Sequence, residues 1–542
     1  MKLSSNNLLR AALAIVSGAA MGLAFPKFDF GLIAWVAFVP LFYAIDGESL
    51  KRVFGWAYLQ GFASYMVSLY WIPIPLHDFA DVRIEFAILP LMLLAAVLAT
   101  YTAIAIWSGI FVARRARVPM VIAIPAAWVA LEWVRTYFPI GFPWNLLGYT
   151  AYRNLELIQF AEFTGVYGIS GLIVFFNAVA YAVIFRRGSR RYQIASLSAL
   201  TATMIAVAGF GMWRVADLQH VTEDGSLKVA MVQGNIPQSL KWEEDFLPQS
   251  FKVYVDATAA AAKDGADLVV WPEAAAAFLF QPDDNYPAQF AGYADYRRVL
   301  LEMAHNLNTP ILFGAPALST TDPDADYREY NRAYLVSGRG TVDAYYDKIN
   351  LVPFGEYVPA RSIFGLFVNR VVHGFGRMIP GVEQKLFQVK GAKLGVLICY
   401  ESIFPDFTRR AVKDGATVLM NITNDAWYGE SSAPFQALAM AAMRSAETKI
   451  PMVRVANTGV SAIIEPTGEI TARTPLFERD TEIENVQWRP MRTVYTIVGD
   501  LFAKICFAFI LIGIIIGWRW PQREPAVKIV HIPGFSPNGR SK

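Results

Sequence analysis

The most informative segment of this chain is Gly395-Val396-Leu397-Ile398-Cys399-Tyr400-Glu401. Its apolar residues predict a buried strand that ends at a cysteine, because polar Glu401 and Ser402 follow directly. The next segment, 404–413, has a helical pattern, and Gly415 is expected to end it. A thiol at a strand-to-helix turn lies where backbone N–H groups and the helix dipole favour a thiolate. An inert buried cysteine is the commoner fate of a lone Cys, so residues elsewhere in the chain must decide.

Length and composition indicate a membrane protein that carries a soluble part. The chain has 542 residues, which is too long for one ordinary domain. Hydrophobic residues make up 55% of it and charged residues only 17%, which is unusual for a soluble protein. Cys399 and Cys506 are expected not to meet, and the five scattered histidines have no metal-ligand spacing. We therefore expect no disulfide framework, no metal and no cofactor.

Eight apolar stretches are candidates to span a bilayer, although the second of them is short. They are 8–25, 32–45, 53–71, 86–112, 118–133, 157–185, 194–213 and 495–518. The first has Arg10 before an apolar core, like a signal peptide, but further stretches follow at once and favour an uncleaved span. The pattern predicts a membrane domain of seven spans over 1–214, an eighth transmembrane helix over 495–518 and a tail over 519–542.

The basic residues predict the orientation of these spans, because cytoplasmic loops are enriched in Lys and Arg. They precede the first stretch, recur in every second loop and follow the last stretch, at Lys2, Arg10, Lys51, Arg52, Arg114, Arg115, Arg117, Arg186, Arg187, Arg190, Arg191, Arg519, Arg523 and Lys528. Both termini are therefore expected in the cytoplasm, and residues 220–490 outside the cytoplasmic membrane. Glu132 and Arg135, at the end of the fifth stretch, are three residues apart and are expected to pair in a structural role.

Residues 220–490 have the composition of an ordinary globular domain, and their strand and helix patterns alternate. Strands are predicted at 227–233, 267–271, 310–314, 334–337, 341–347, 417–422, 452–455 and 461–464, and helices at 251–263, 294–306 and 434–449. This alternation is typical of an α/β domain whose sheets are covered by helices.

Three strand ends of this domain lead directly into a reactive side chain, namely Glu273, Lys348 and Cys399. Taken singly, Glu273 and Lys348 would most often be solvated surface charges. Together they form a set that suits nucleophilic catalysis. A cysteine needs a base, and a carboxylate serves as one if burial raises its pKa. A lysine can hold the thiolate and then stabilise the oxyanion of a tetrahedral intermediate.

The motifs around these residues resemble the three signatures of the nitrilase superfamily. They are Trp271-Pro272-Glu273, Lys348 with Pro353-Phe354-Gly355-Glu356, and Cys399-Tyr400-Glu401. The resemblance implies an α-β-β-α sandwich with a Glu–Lys–Cys triad in that chain order. The flanking membrane stretches, together with the segments 232–238 and 423–429, narrow the resemblance to the apolipoprotein N-acyltransferase family, the membrane-bound branch of that superfamily.

The family resemblance implies an acyltransferase of the bacterial inner membrane that completes lipoprotein maturation. An acyl chain from a phospholipid, typically phosphatidylethanolamine, would form a thioester on Cys399. The amino group of a diacylated apolipoprotein would then accept it. The implied partners are therefore the phospholipid donor, the apolipoprotein and the bilayer itself, with the catalytic domain in the periplasm. We expect a monomer and no nucleic-acid partner.

The resemblance also implies a role for each motif residue. Glu273 would be the general base, Lys348 the oxyanion stabiliser and Cys399 the nucleophile. Glu356 would orient Lys348, and the Tyr400 backbone N–H is a candidate second oxyanion donor. For Glu401, tuning of the site and a structural salt bridge remain equal alternatives.

Substrate contacts are expected from aromatic residues near these motifs. Trp242, Trp427 and Tyr400 are candidates to line an acyl pocket, although each is more often plain core. An apolar arm at 363–372 carries Phe364, Leu366 and Phe367 between two arginines. On a domain tethered to a membrane, insertion of this arm into the lipid surface is as well supported as packing in a core.

Two other functions remain open at this point. A membrane-anchored hydrolase of amides or nitriles would keep the fold and pass the acyl group to water, but it gives no reason for eight spans. A transporter or scaffold would be expected to carry buried charges along its spans, which are poor in them.

Overall fold

The structure, a computed structural model, describes residues 5–79, 81–139, 141–220, 223–283, 286–320, 328–357, 378–489 and 491–519. The helices α1 to α10 form its N-terminal part and are Ser5–Leu23, Val39–Ile45, Leu50–Ser68, Pro73–Asp78, Ile84–Arg115, Met120–Tyr137, Leu155–Ile158, Ala161–Thr164, Val166–Ile184 and Arg190–His220. The helices α11 to α16 are Leu247–Lys263, Tyr293–Leu307, Pro405–Lys413, Ala433–Thr448, Val494–Val498 and Leu501–Arg519.

Within the described residues, five helices are long and apolar enough to cross a membrane, namely α1, α5, α9, α10 and α16. The predicted second span, 32–45, folds as a 3-10 helix, Gly31–Trp35, followed by α2, and this apolar segment is shorter than the five helices. The seven residues of α2 rise only about 10 Å. The sixth and eighth spans are shorter than predicted. Gly165 and Gly499, with φ of 63° and 61°, interrupt the helix, so α9 begins at Val166 and α16 at Leu501.

Two six-stranded sheets build the C-terminal domain, in the orders β12-β1-β2-β3-β4-β5 and β11-β10-β9-β8-β7-β6. The strands β1 to β12 are Gly225–Gln233, Leu268–Val270, Ile311–Leu318, Glu329–Val336, Val342–Asp347, Leu386–Val389, Ala392–Ile398, Val418–Thr423, Met452–Ala456, Ala462–Ile464, Ile470–Arg473 and Asp480–Trp488. The central strands β1–β2–β3 and β7–β8–β9 run parallel, and the outer ones are antiparallel.

The two sheets face each other between helices, as alternation along β1 shows. Leu227, Val229 and Met231 pack in a core shared with β7, β8 and β9 of the other sheet. Ala230 and Val232 point the opposite way, into a core formed with α11 and α12. Successive side chains of a strand alternate between its faces, so both faces of this sheet are buried. This arrangement is the predicted α-β-β-α sandwich.

Helix α14 is buried on all sides because it belongs to two cores. Leu438 and Ala442 pack against the second sheet of the sandwich. Met440 and Met443 pack in the core of the membrane helices. Helices that are apolar all round are typically enclosed by other elements. The two-sheet sandwich and the N-terminal helices therefore share helix α14 in their cores, and no layer of solvent separates them there.

Gln436, at the start of α14, fastens three membrane-domain segments together. Its Oε1 accepts hydrogen bonds from the indole N–H groups of Trp71 (3.1 Å) and Trp144 (2.7 Å). Its Nε2 donates to the carbonyls of Pro26 and Ser68, at 2.8 Å each. All of these groups are shielded from water, so none of the four partners can exchange the bond for one to solvent.

We expect Gln436→Leu to destabilise the whole protein. The change keeps the size of the side chain but leaves two indole donors and two carbonyls unpaired, at a cost of about 1–3 kcal/mol for each group that finds no new partner. The thermal unfolding midpoint of the detergent-purified protein should fall by several degrees. Gln388→Leu, at the exposed position of strand β6, is the control and should leave the midpoint unchanged. Equal midpoints for the two variants would contradict the fastening role.

Candidate active site

Cys399 lies at the turn between β7 and the 3-10 helix Cys399–Ile403, as the apolar strand predicted. Its φ of 53° is unusual for a residue with a side chain and marks a strained turn. The Cys399 carbonyl accepts hydrogen bonds from Asn421 Nδ2 (3.3 Å) and Ser402 Oγ (3.1 Å). These two side-chain hydrogen bonds to its carbonyl help to hold Cys399, the candidate nucleophile, in the left-handed conformation that ends the strand.

Glu273 follows β2, and its buried carboxylate accepts three hydrogen bonds. Oε1 accepts from Lys348 Nζ (3.1 Å) and Asn331 Nδ2 (2.7 Å). Oε2 accepts from the backbone N–H of Asn424 (2.9 Å). Burial alone would raise the pKa of Glu273, but the Lys348 ammonium and these donors outweigh it and hold that pKa below its usual range. The carboxylate is thus ionised, but the expected rise of its pKa by burial is not observed, because Lys348 and the hydrogen-bond donors outweigh burial.

Lys348 follows β5 and is almost wholly buried between two carboxylates. Its Nζ donates to Glu356 Oε1 (2.8 Å) as well as to Glu273. Burial opposes its charge, but the two carboxylates hold the pKa of Lys348 well above its ordinary value. Glu356 Oε2 also accepts from the backbone N–H of Val352 (2.8 Å). Glu356 therefore contacts Lys348, the residue that it is predicted to orient.

The expectation of a resting thiolate at Cys399 is wrong. Burial, and next the negative charge of Glu273, raise the pKa of the Cys399 thiol to about 12, and the ammonium of Lys348 offsets only part of that rise. The sequence pattern at the turn did not reveal this burial. At neutral pH the proton therefore stays on sulfur and has to move to a base as the sulfur attacks.

Glu401 connects the cysteine turn to the loop that follows Lys348. Its Oε2 accepts from the backbone N–H of Ile398 (2.8 Å). Its Oε1 accepts from the Tyr346 hydroxyl and the Ile349 backbone N–H, at 2.7 Å each, and from Asn350 N–H at 3.1 Å. In the described part of the chain it forms no salt bridge. Through these four hydrogen bonds, Glu401 fixes the position of the cysteine turn relative to the loop that follows Lys348.

The predicted substrate contacts differ in their surroundings. Trp242 is 52% exposed. Trp427 packs edge-on against Phe79 of the membrane domain, with ring centroids 5.1 Å apart. Tyr400 is buried, and its hydroxyl donates to the Gly141 carbonyl (3.4 Å). The apolar arm with Phe364, Leu366 and Phe367 lies outside the described residues.

Sequence reasoning missed two polar residues of this site. The Asn331 amide lies between the carboxylates of Glu273 and Glu356, at 2.7 Å and 3.0 Å from their Oε1 atoms. Lys241 is buried, and its Nζ donates to the Glu273 carbonyl (3.1 Å). Asn331 lies between Glu329 and Arg332 in β4, so its polarity did not single it out in the sequence. Lys241 precedes the noted Trp242 in a loop, where a lysine is ordinarily taken as solvated.

The cysteine turn packs against the membrane helices. Tyr400 and Ile403 belong to the same apolar core as the helices α1, α3, α5, α6 and α9, and Cys399 lies at its edge. Tyr428 contacts Trp71 and Trp144 of the membrane domain, with centroids 4.9 Å and 6.3 Å away. The cysteine turn and the membrane helices therefore share one apolar core.

Glu132 and Arg135 both bind the segment 144–147 of the membrane domain, and they do not form the expected ion pair with each other. Among the described residues, neither forms a salt bridge. Glu132 Oε1 instead accepts from the Leu147 N–H (2.7 Å), and Arg135 donates to the carbonyls of Trp144 (3.2 Å) and Asn145 (3.3 Å). The two residues hold the segment that presents Trp144 to Tyr428.

Comparisons with known proteins agree with this geometry. The sequence model of the carbon-nitrogen hydrolase family matches residues 228–494, and that of the apolipoprotein N-acyltransferase N-terminal domain matches residues 17–179. The chain is 36% identical to the apolipoprotein N-acyltransferase of Geobacter metallireducens, over 92% of this chain and 93% of that protein. It is 34% identical to that of Brucella melitensis, over 86% and 87%.

A solved amidase from Nesterenkonia sp. is 19% identical, covers 53% of this chain and 98% of its own, and has a TM-score of 0.37. The match over residues 228–494 lies on the two-sheet domain, and the match over residues 17–179 lies on the N-terminal helical part. On the identity and coverage of its relatives, this membrane protein belongs to the apolipoprotein N-acyltransferase family.

Proposed function

We propose that the chain transfers an acyl group from a phospholipid to the N-terminal amine of a diacylated apolipoprotein, through a thioester on Cys399. The observation that carries this proposal is the apolar core that the cysteine turn shares with the membrane helices. This packing places the thiol next to the membrane-spanning part of the chain, where a phospholipid donor is found. The relatives from Geobacter metallireducens and Brucella melitensis are apolipoprotein N-acyltransferases, which supports the same reaction.

In the first step Cys399 sulfur attacks the ester carbonyl carbon of the phospholipid as its proton passes to Glu273. The C–S bond forms, the ester C–O bond breaks, and the lysophospholipid leaves as an alcohol that takes the proton back. The ammonium of Lys348, held between Glu273 and Glu356, stabilises the negative charge on the carbonyl oxygen. Phosphatidylethanolamine is the donor that we propose, with the protein acting as a monomer.

In the second step the amine nitrogen of the apolipoprotein attacks the thioester carbon. The C–N bond forms and the C–S bond breaks. Glu273 takes the proton lost by nitrogen and returns it to sulfur, which restores the thiol. The high pKa of the resting Cys399 thiol suits this return, because a protonated sulfur is the stable product at neutral pH.

The reaction is tested with purified protein, phosphatidylethanolamine vesicles and a synthetic diacylated lipopeptide. Mass spectrometry should show the lipopeptide gaining one acyl chain, and a lipopeptide with a blocked amine should gain none. Free fatty acid released at the same rate with and without the lipopeptide would contradict the proposal. It would favour the amidohydrolase alternative, in which water takes the acyl group.

We further propose that residues 220–490 face the periplasm and that both termini are cytoplasmic, since basic residues mark the cytoplasmic loops. A reporter enzyme that is active only in the cytoplasm should be silent when fused near Gly225, where β1 begins. The same reporter fused after Arg519 is the control and should be active. Activity of the Gly225 fusion in cells would overturn the orientation.

A further inference from the structure

Lys241 is a buried cation without an ionic partner in the described part of the chain. It follows β1 in the segment 234–242, and only 2% of its surface is exposed. Its Nζ donates to the backbone carbonyl of Glu273 at 3.1 Å, and no carboxylate there lies within ion-pair distance of it. Burying an unpaired ammonium costs several kcal/mol, so such a residue calls for an explanation.

The charges that act on Lys241 are those of the reacting groups. Its ammonium interacts with the carboxylate of Glu273 and with the thiol of Cys399. Burial lowers the pKa of Lys241 to about 8, and these two neighbours counteract that effect in part. Strongly perturbed groups of this kind are concentrated at functional sites.

A charge balance explains why the site would need a second cation. Lys348 is bonded to both Glu273 and Glu356, so these three residues carry a net charge of −1. Asp425, which also faces the thiol, is neutralised by Arg454 at 2.7 Å. A thiolate formed beside this cluster would meet uncompensated negative charge. One more positive charge close to the sulfur brings the cluster to neutrality.

We propose that Lys241 supplies this charge and stabilises the anionic sulfur of Cys399 while the thiol proton passes to Glu273. Lys348 then remains available for the oxyanion of the acyl group. The proposal rests on the nucleophilic role of Cys399 in the proposed function. It adds to the triad a fourth charged group whose effect is on the sulfur rather than on the carbonyl oxygen.

Alkylation of Cys399 tests the proposal without any lipid substrate. The full chain is purified in a Cys506→Ala background, so that Cys399 is the only thiol. The rate constant for iodoacetamide is measured from pH 7 to 10.5 in Lys241→Gln, Lys241→Met and Lys241→Arg. Gln keeps a donor for the Glu273 carbonyl and loses the charge, whereas Arg keeps the charge. Lys252→Gln, an exposed lysine paired with Asp256, is the matched control.

We expect alkylation of Cys399 at pH 7, where Lys241 still carries its charge, to slow about tenfold or more in the Gln and Met variants, because the thiolate fraction falls. The difference between parent and variants should shrink above pH 8 as Lys241 of the parent loses its proton. Lys241→Arg should stay within about threefold of the parent, and Lys252→Gln should match it. The thermal unfolding midpoint of every variant is recorded as well. If Lys241 only held the Glu273 carbonyl, its replacement would lower this midpoint and leave the alkylation rate of Cys399 unchanged.

Three outcomes would overturn the proposal. One is a Lys241→Gln profile that coincides with the parent profile. Another is an equal shift in the Gln and Arg variants, which would indicate shape rather than charge. The third is a chain that folds only with a cation at 241, which would make the charge structural. In each case acyl transfer by the parent protein would still stand, because that reaction is measured separately with lipid.

Discussion

Incubated with phospholipid alone, the purified protein should gain the mass of one fatty acyl chain, and Cys399→Ala should gain none. Glu273 and Lys348 surround this thiol, and Cys506 lies in the last apolar helix, away from both. Hydroxylamine should remove the added mass, as expected for a thioester. Cys506→Ala is the control and should acylate like the parent, which assigns the adduct to Cys399.

The order of events is part of the same expectation. The adduct should form within one turnover and disappear when a diacylated lipopeptide is added. Rapid quench followed by mass spectrometry measures both phases. Acyl transfer with no covalent adduct at any time would point to direct attack by the amine on the phospholipid ester. That result would rule out the two-step route while leaving the acyl transfer itself intact.

Lys348→Met should nearly abolish acylation of Cys399. Losing one oxyanion donor raises a barrier by about 2.7–4 kcal/mol, which is a loss of roughly 10²–10³ in rate. The change also leaves the carboxylates of Glu273 and Glu356 buried without their shared cation, so thermal stability should fall as well. Lys393→Met, on the exposed side of β7, is the control for removing a lysine. A mutant that acylates at the parent rate would contradict the oxyanion role.

Glu273→Gln should be similarly inactive, because the amide cannot take the thiol proton. Groups that act as a unit are not additive, so the double variant with Lys348→Met should be hardly slower than either single one. The same acyl-enzyme assay compares the three variants. Losses that simply multiply would indicate that the two residues act in separate steps.

The ends of the buried strands were predictable from sequence, because a buried strand is a run of apolar residues that stops at a polar one. Helix α14 and the carboxyl end of the strand before Cys399 were predicted to within about one residue, although β7 begins earlier than predicted, at Ala392. Strand β12 was missed, since its residues 480–488 are mostly charged or polar and it is recognisable only by its pairing with β1. Hydrogen bonds to a distant segment leave no local pattern.

The membrane domain was less predictable, because hydropathy reports composition and not continuity of a helix. The stretch 32–45 folds as two short helices, with Phe38, Leu41 and Phe42 packed in the domain core and Leu32 and Val36 exposed. The sixth stretch contains Gly165, whose positive φ ends one helix and begins another. Nothing in a window average distinguishes such a break from a glycine inside a continuous helix.

The chemistry of the site was predictable in its residue types but not in its electrostatics. Glu273, Lys348 and Cys399 each follow a strand, which is where α/β folds gather reactive groups. The direction of the thiol pKa shift depends on burial and on the negative charge of Glu273, which comes from a distant strand end. Asn331 and Lys241 are brought to the site by folding alone, from a strand and a loop with no signature of their own.

The double burial of α14 has a consequence for biogenesis. Since this helix completes both the sandwich and the bundle, the C-terminal half made without the N-terminal half would display Met440 and Met443 to water. The C-terminal half can therefore reach its final state only after the early helices have folded. Synthesis from the N-terminus produces the membrane helices before the sandwich. In a circularly permuted chain with the sandwich first, Met440 and Met443 would stay exposed to water until the membrane helices were made.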